Sequence, residues 1–243
     1  MRSLRFACLL ASLLTGFHPA TAGAQVGGSA IGWGDYVAVA QSDLESLVQV
    51  SAGYFHSVAL REDGTLVAWG QNDLDQCMIP APNEGFVAVS AGQYHTLALR
   101  AGGVVEAWGG NGSGQCDVPS PNEGFIAVSA GGYHSLGLKA DGNIVAWGSN
   151  YWDQLEIPGE NSQFVAISAG FTHSLALKSN GSVVAWGSNV NRECTVPFPN
   201  YGFVAVGAGA AVSFGIRANG RITGWGSNSF GKRIPPEPNS GFV

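Results

Sequence analysis

Four histidines, His56, His95, His134 and His173, recur at intervals of 39 residues. Imidazole is the commonest metal ligand among side chains, so four in one phase raise the possibility of a metal site. Zinc needs its ligand nitrogens at about 2 Å, and equivalent residues on neighbouring units of a ring come that close only next to the axis. The competing reading makes each His a structural part of the repeat, with Val212 in the fifth slot. Cys77, Cys116 and Cys194 share a second phase, in which Leu155 and Arg233 stand elsewhere. A disulfide requires Cα atoms within about 7 Å, so the plainer expectation is three free thiols at a tolerant position. Hydrolysis or proton transfer needs two convergent carboxylates, or a nucleophile with its base. The acids outside the repeat frame are Asp73, Asp75, Glu106, Asp153, Glu156 and Glu193, scattered over loops. The sequence carries no phosphate loop, zinc motif or nucleophile elbow. No catalytic residue and no cofactor is expected.

The elements that position these residues follow from the same period. Trp69, Trp108, Trp147, Trp186 and Trp225 are also 39 residues apart. Each unit contains three strand signals, as in residues 164–189: a short apolar run (FVAISAG), an alternating run (HSLALK) and a β-branched, aromatic run (VVAWG). Between the second and third lies Asp63-Gly64, Gly102-Gly103, Asp141-Gly142, Asn180-Gly181 or Asn219-Gly220. Such pairs supply positive φ to a tight hairpin. A longer loop follows each Trp-Gly and ends near Pro80, Pro119, Pro158, Pro197 or Pro235, where proline stops ladder pairing. The units lie near 47–85, 86–124, 125–163, 164–202 and 203–241. One such unit cannot bury both faces of its sheet, but radial stacking covers each sheet with the next. The expected fold is an all-β propeller. A buried indole removes ~150–250 Å² from water, which at ~25 cal/mol/Å² is about 4–6 kcal/mol, gross. Blade-to-blade packing explains all five.

Composition bounds the function. The chain has 243 residues, 12% charged and 45% hydrophobic, with 36 Gly and a formal net charge of −6. Low charge argues against disorder, and an acidic balance offers no basic footprint for nucleic acid. Residues 1–24 read as an export signal: Arg2 and Arg5, an apolar stretch over 6–14, then Ala22 and Ala24, with cleavage after Ala24. Its loss leaves 9 Lys and Arg against 17 Asp and Glu over residues 25–243. The apolar stretch is too short to span a bilayer, and no later run is long enough. The expected location is secreted, periplasmic or cell-surface.

The string AGxxHSLALKxDGxVxAWG, repeated in one order and spacing, closely resembles the repeat of the regulator of chromosome condensation family. The resemblance runs from about residue 32 to 243. It implies a seven-bladed propeller, here of the bacterial exported type, in which the repeated His is structural. That branch includes a protein inhibitor of β-lactamase, which makes inhibition of a secreted enzyme one reading by analogy. The nuclear member is a guanine-nucleotide exchange factor on chromatin, an activity that an export signal and an acidic chain disfavour. Trp33-Gly34 looks like the last strand of a blade whose earlier strands are absent, and Phe242-Val243 opens a further period. The expectation is therefore five complete blades, partial terminal ones and an incomplete ring.

Residues that vary while the frame holds point to recognition. In the loop after Trp-Gly, Leu74, Trp152 and Phe230 share one phase, and Tyr151 adjoins Trp152. Before the His come Tyr54-Phe55, Tyr94, Tyr133 and Phe171. Aromatic side chains on rigidly held loops suit protein binding. Trp152 is equally open to packing on its own blade, and Tyr94 and Tyr133 favour local packing. Arg61, Arg100, Lys139, Lys178 and Arg217 form a basic set, expected to keep strand ends soluble. The leading expectation is a protein-binding or scaffold module using Trp152, Tyr151, Leu74, Phe230, Tyr54, Phe55 and Phe171. The alternative is a polysaccharide hydrolase or lyase in the central funnel, using Asp153 or Glu156.

Overall fold

The computed structural model describes residue 39, residues 41–235 and residues 237–242. The export segment, the Trp33-Gly34 pair and Val243 lie outside the described residues. Those described form five antiparallel sheets of three strands, each sheet in chain order. The first comprises β1 (Leu47–Ala52), β2 (His56–Arg61) and β3 (Leu66–Gly70). The second holds β4 (Phe86–Ala91), β5 (His95–Arg100) and β6 (Val105–Gly109), and the third β7 (Phe125–Ala130), β8 (His134–Lys139) and β9 (Ile144–Gly148). The fourth holds β10 (Phe164–Ala169), β11 (His173–Lys178) and β12 (Val183–Gly187), and the fifth β13 (Phe203–Ala208), β14 (Val212–Arg217) and β15 (Ile222–Gly226). No helix of the described residues is long and apolar enough to cross a membrane.

The second and third strands of each sheet join at the Gly-bearing turn. Only the second residue of each pair takes positive φ, from 72° at Gly220 to 81° at Gly142. The first residue stays out of that region, and where it is Asp or Asn it accepts a hydrogen bond from the backbone two residues on, as Asp63 does from Thr65 (2.9 Å). The turn thus needs one left-handed residue rather than the two expected of an Asn-Gly or Asp-Gly pair.

The sheets stack as propeller blades. Leu136, Leu138 and Ile144 of the third pack against Phe164, Ala169 and Trp186 of the fourth. Leu175, Leu177 and Val183 of the fourth pack in the same way against Phe203, Val206 and Trp225 of the fifth. The first strands β1, β4, β7, β10 and β13 neighbour one another and form the inner edge. Trp108, Trp147, Trp186 and Trp225 are buried. Trp69 is only half-buried, because an indole is covered by the preceding blade and none precedes the first among the described residues.

The basic set does more than keep strand ends soluble. Arg100 lies 4.2 Å over the Phe86 ring and donates to Pro82 O (3.0 Å) and Glu84 O. Arg217 repeats this with Phe203, Pro199 O and Tyr201 O. Lys139 and Lys178 lie over Phe125 and Phe164. Each cation ties the return segment to its own blade.

Candidate functional site

Register decides which loops share an end of the molecule. Ala52 pairs with Ser57, and His56 with Gly70. The β1–β2 loop and the loop after β3 therefore emerge together, and Gln71 N donates to Phe55 O (2.8 Å). The next three blades repeat the bond, Gly110 N to Tyr94 O, Ser149 N to Tyr133 O and Ser188 N to Thr172 O. Gly110 sits so tightly between Leu74 of one blade and Tyr94 of the next that a Cβ would lie 3.0 Å from Leu74 Cδ1 and 3.1 Å from Tyr94 Cβ. The two sets of variable loop residues thus belong to one face.

That face is held by a buried polar lattice. Gln76, Gln115 and Gln154 are buried, and each side-chain oxygen accepts from a backbone N–H of its own loop: Leu74, Ser113 and Trp152. Glu193 does the same for Asn191 and also accepts from the Ser188 hydroxyl. The carbonyls of these four residues accept the indole N–H of the following blade, from Trp108, Trp147, Trp186 and Trp225, at 2.8–3.1 Å. They also accept a hydroxyl from Thr96, Ser135, Ser174 and Ser213.

The histidines complete this lattice. His56, His95, His134 and His173 are buried, and each Nε2 lies 2.8–3.0 Å from the same hydroxyls, those of Thr96, Ser135, Ser174 and Ser213. A hydroxyl has one proton, already given to a carbonyl, so the imidazole must donate. Nε2 carries the hydrogen, and Nδ1 is a buried acceptor without a partner in all four. Burial pushes the pKa down to about 4 for His56 and His173 and to about 3 for His95 and His134. The rings are neutral at physiological pH. Each packs on the glycine three residues before it, where a Cβ would crowd both the ring and the next blade: at Gly131 it would lie 2.4 Å from His134 Cε1 and 2.6 Å from Gly170 O. Among the described residues no group of His, Cys, Asp or Glu is arranged to hold a metal.

The thiols of Cys77, Cys116 and Cys194 are free and point to backbone oxygens of their own loops, at Gln71, Gly110 and Ser188. Burial pushes their pKa up to about 11, 12 and 12, which keeps them protonated and unreactive. Asp153 has φ 58°, in a slot where Asp75, Gly114, Arg192 and Gly231 also take positive φ. It serves the turn. Glu156 accepts from Asn150 Nδ2 (3.0 Å), and Glu106 pairs with Arg100.

Of the recognition residues, Tyr151 is 83% and Trp152 42% exposed, their rings meeting edge-on at 5.2 Å. Leu74, Tyr54 and Phe55 are exposed. Phe171 is half-buried. Phe230 falls in the 3-10 turn Ser229–Gly231, and its side chain lies outside the described residues. Near the axis, Tyr54 and Phe171 approach across the blades to 6.5 Å between ring centroids. Tyr94, which packs on Gly110 of its own blade, and Tyr133 also join Phe55 and Phe171 in a chain of ring contacts. Sequence reading also missed the Ser/Thr and Gln lattice, although Thr96, Ser135, Ser174 and Ser213 keep the 39-residue spacing. A second missed set is Asn83, Asn122, Asn161, Asn200 and Asn239, which clamp the backbone of the third strand's first residue through both amide atoms.

Comparison with known proteins gives the same architecture. The profile of the regulator of chromosome condensation (RCC1) repeat matches residues 47–76, 86–115, 125–151 and 164–193. Among curated proteins no sequence matches significantly. Prp20p from Saccharomyces cerevisiae, whose binding to Gsp1p and histones has been described, is 19% identical, with a TM-score of 0.67 over 79% of this chain and 60% of that one. The ectodomain of the Physcomitrella patens receptor kinase CR4 is 24% identical, with a TM-score of 0.65 over 79% of this chain and 55% of that one. Human WBSCR16 is 17% identical, with a TM-score of 0.62 over 74% of this chain and 61% of that one. The chain thus spans less than two thirds of each of these structures. At such identities the likeness is one of fold.

Proposed function

Because this chain belongs to the regulator of chromosome condensation repeat family, we propose that it is a protein-binding module without enzymatic activity, whose recognition face is the end carrying the β1–β2 loops and the loops after each Trp-Gly. The observation that carries this reading is the pinning of an exposed aromatic pair: the Trp152 backbone is fixed by buried Gln154 while the residue stays 42% exposed beside Tyr151. An anchor held in place before binding loses little entropy on contact. Leu74, Tyr54, Phe55 and Phe171 extend the surface toward the axis, and Phe230 belongs to the same loop phase. Protein binding by structural relatives, Gsp1p and histones for Prp20p and Kap60 in a second yeast structure, supports the class of function and not the partner. The basic, apolar and small-residue order of residues 1–24 supports export.

The test uses the exported chain, expected to begin at Gln25 by N-terminal sequencing. Immobilised wild type and Trp152→Ala are offered to proteins of the same compartment, and any captured partner is titrated by interferometry. The substitution is expected to weaken binding by at least tenfold, the scale of an interface anchor, and to leave the thermal midpoint within a degree or two. Equal affinity of wild type and variant removes Trp152 from the face.

A further inference from the structure

The five aromatic rings near the axis form a closed circuit. In order they are Phe55, Tyr94, Tyr133, Phe171 and Tyr54, returning to Phe55, with neighbouring centroids 4.7–6.5 Å apart. Among the described residues each of these rings contacts two others, and no contact crosses the circuit. Drawn as a planar pentagon, a circuit with such edges has its centre about 5 Å from each ring centroid, inside the ~6 Å distance of a cation–π contact. Tyr54 and Phe171 also border an axial depression of about 200 Å³, together with Gln93 and the Ala-Gly ends of the inner strands.

Two further features have the same chemistry. Gln93 Oε1 and Gln71 Oε1 are buried acceptors with no hydrogen-bond partner. Gln93 immediately precedes Tyr94, and Gln71 donates its backbone N–H to Phe55 O, so both belong to the aromatic end. Charge is unevenly divided around them. The loops over 71–79, 110–118 and 149–157 carry Asp73, Asp75, Asp117, Asp153 and Glu156 and no Lys or Arg. Arg192, Lys232 and Arg233 fall in the corresponding loops of the fourth and fifth blades. Blades one to three supply four of the five rings (Tyr54, Phe55, Tyr94 and Tyr133), so the acids fall on the blades that carry most of the circuit.

We propose that this circuit is the seat of an arginine side chain presented by a basic segment of the protein partner. A guanidinium is planar, stacks on aromatic faces and carries five N–H donors and no acceptor. It matches π faces, orphaned carboxamide oxygens and an acidic flank at once, which neither a neutral aromatic nor an acidic side chain does. The proposal rests on the protein-binding reading above and adds the chemistry of what binds.

The test is fluorescence anisotropy with the full chain and a labelled seven-residue Gly/Ser peptide bearing two arginines, against a twin with citrulline at both places. Citrulline keeps the planar shape and loses the charge. The arginine peptide is expected to bind at least tenfold more tightly, with the difference shrinking as salt rises. The double substitution Tyr94→Leu and Tyr133→Leu, which keeps apolar bulk but removes two π faces, is expected to weaken it about tenfold. Tyr94→Phe with Tyr133→Phe should stay within twofold of wild type. Equal binding of both peptides, or an unchanged affinity in the leucine variant, overturns the proposal. Should the leucine variant fail to fold, Gln93→Leu leaves every ring in place, and a loss of fivefold or more is expected; no loss overturns the proposal equally. Partner capture that depends on Trp152 but arginine and citrulline peptides that bind alike would sink the arginine seat and leave the binding face standing. Selective arginine binding with capture indifferent to Trp152 would do the reverse.

Discussion

The repeated histidine is a hydrogen-bond donor between blades. Its donor role follows from a single proton: the Ser135 hydroxyl gives its own to Gln115 O (2.8 Å), so the contact at 3.0 Å with His95 Nε2 must run from the ring. Ser135→Ala removes both bonds and leaves the buried His95 Nε2–H without an acceptor, while Gln115 O keeps the Trp147 indole. A buried group left unsatisfied costs about 1–3 kcal/mol, so urea denaturation should show a loss in that range, with the m-value unchanged. The period of His95 and Ser135 was visible in the sequence, but their pairing was not. They are partners across a blade boundary, one repeat plus one residue apart, and a spacing within a repeat does not say which neighbour a side chain faces.

At the scale of the strand, the Trp-Gly hairpin was legible almost whole. β-branched and aromatic runs bounded by Gly-bearing turns gave three strands per unit, and the structure has three. Burial of the indole was less uniform than the sequence implied, because it belongs to the interface and not to the strand. Trp186 is buried against Leu136, Leu138 and Ile144 of the preceding blade and donates to Gln154 O at 2.8 Å. Trp69 is half-buried. Truncating a buried Trp to Ala costs about 3–5 kcal/mol. Trp186→Ala is expected to lose that much and Trp69→Ala about half or less, read from the shift in urea midpoint. Equal losses would mean that the first blade is covered as fully as the rest.

The whole molecule is an array in which each blade is completed by the next, so its stability follows what all the interfaces share. All four interfaces between described blades bury a neutral imidazole whose pKa lies near 3 or 4 rather than the ordinary 6.5. Between those values the unfolded chain binds protons that the folded chain refuses, so unfolding is favoured as pH falls. The stabilisation is fully present above about pH 6.5 and is lost progressively from there down toward pH 3–4. Each fully shifted group contributes about 1.4 kcal/mol per pH unit within its window. Thermal melts should therefore drop steeply from pH 6.5 to pH 4 and be flat from pH 7 to 8. His134→Gln, which keeps an amide donor without a titrating ring, should be less stable at pH 7 and have a shallower slope.

The amino-acid sequence by itself determined the repeat, the strand order within a blade, the turn chemistry and hence the propeller. These depend on near neighbours in the chain, where period and residue type act directly. Only the tertiary structure decided what meets what between blades. Tyr54 of the first blade touches Phe171 of the fourth, although the two stand three repeats apart, because stacking turns successive loops about one axis and brings their tips back together. The aromatic circuit arises from that rotation, which no spacing along the chain encodes, and Trp69 is half-covered because no blade precedes the first among the described residues.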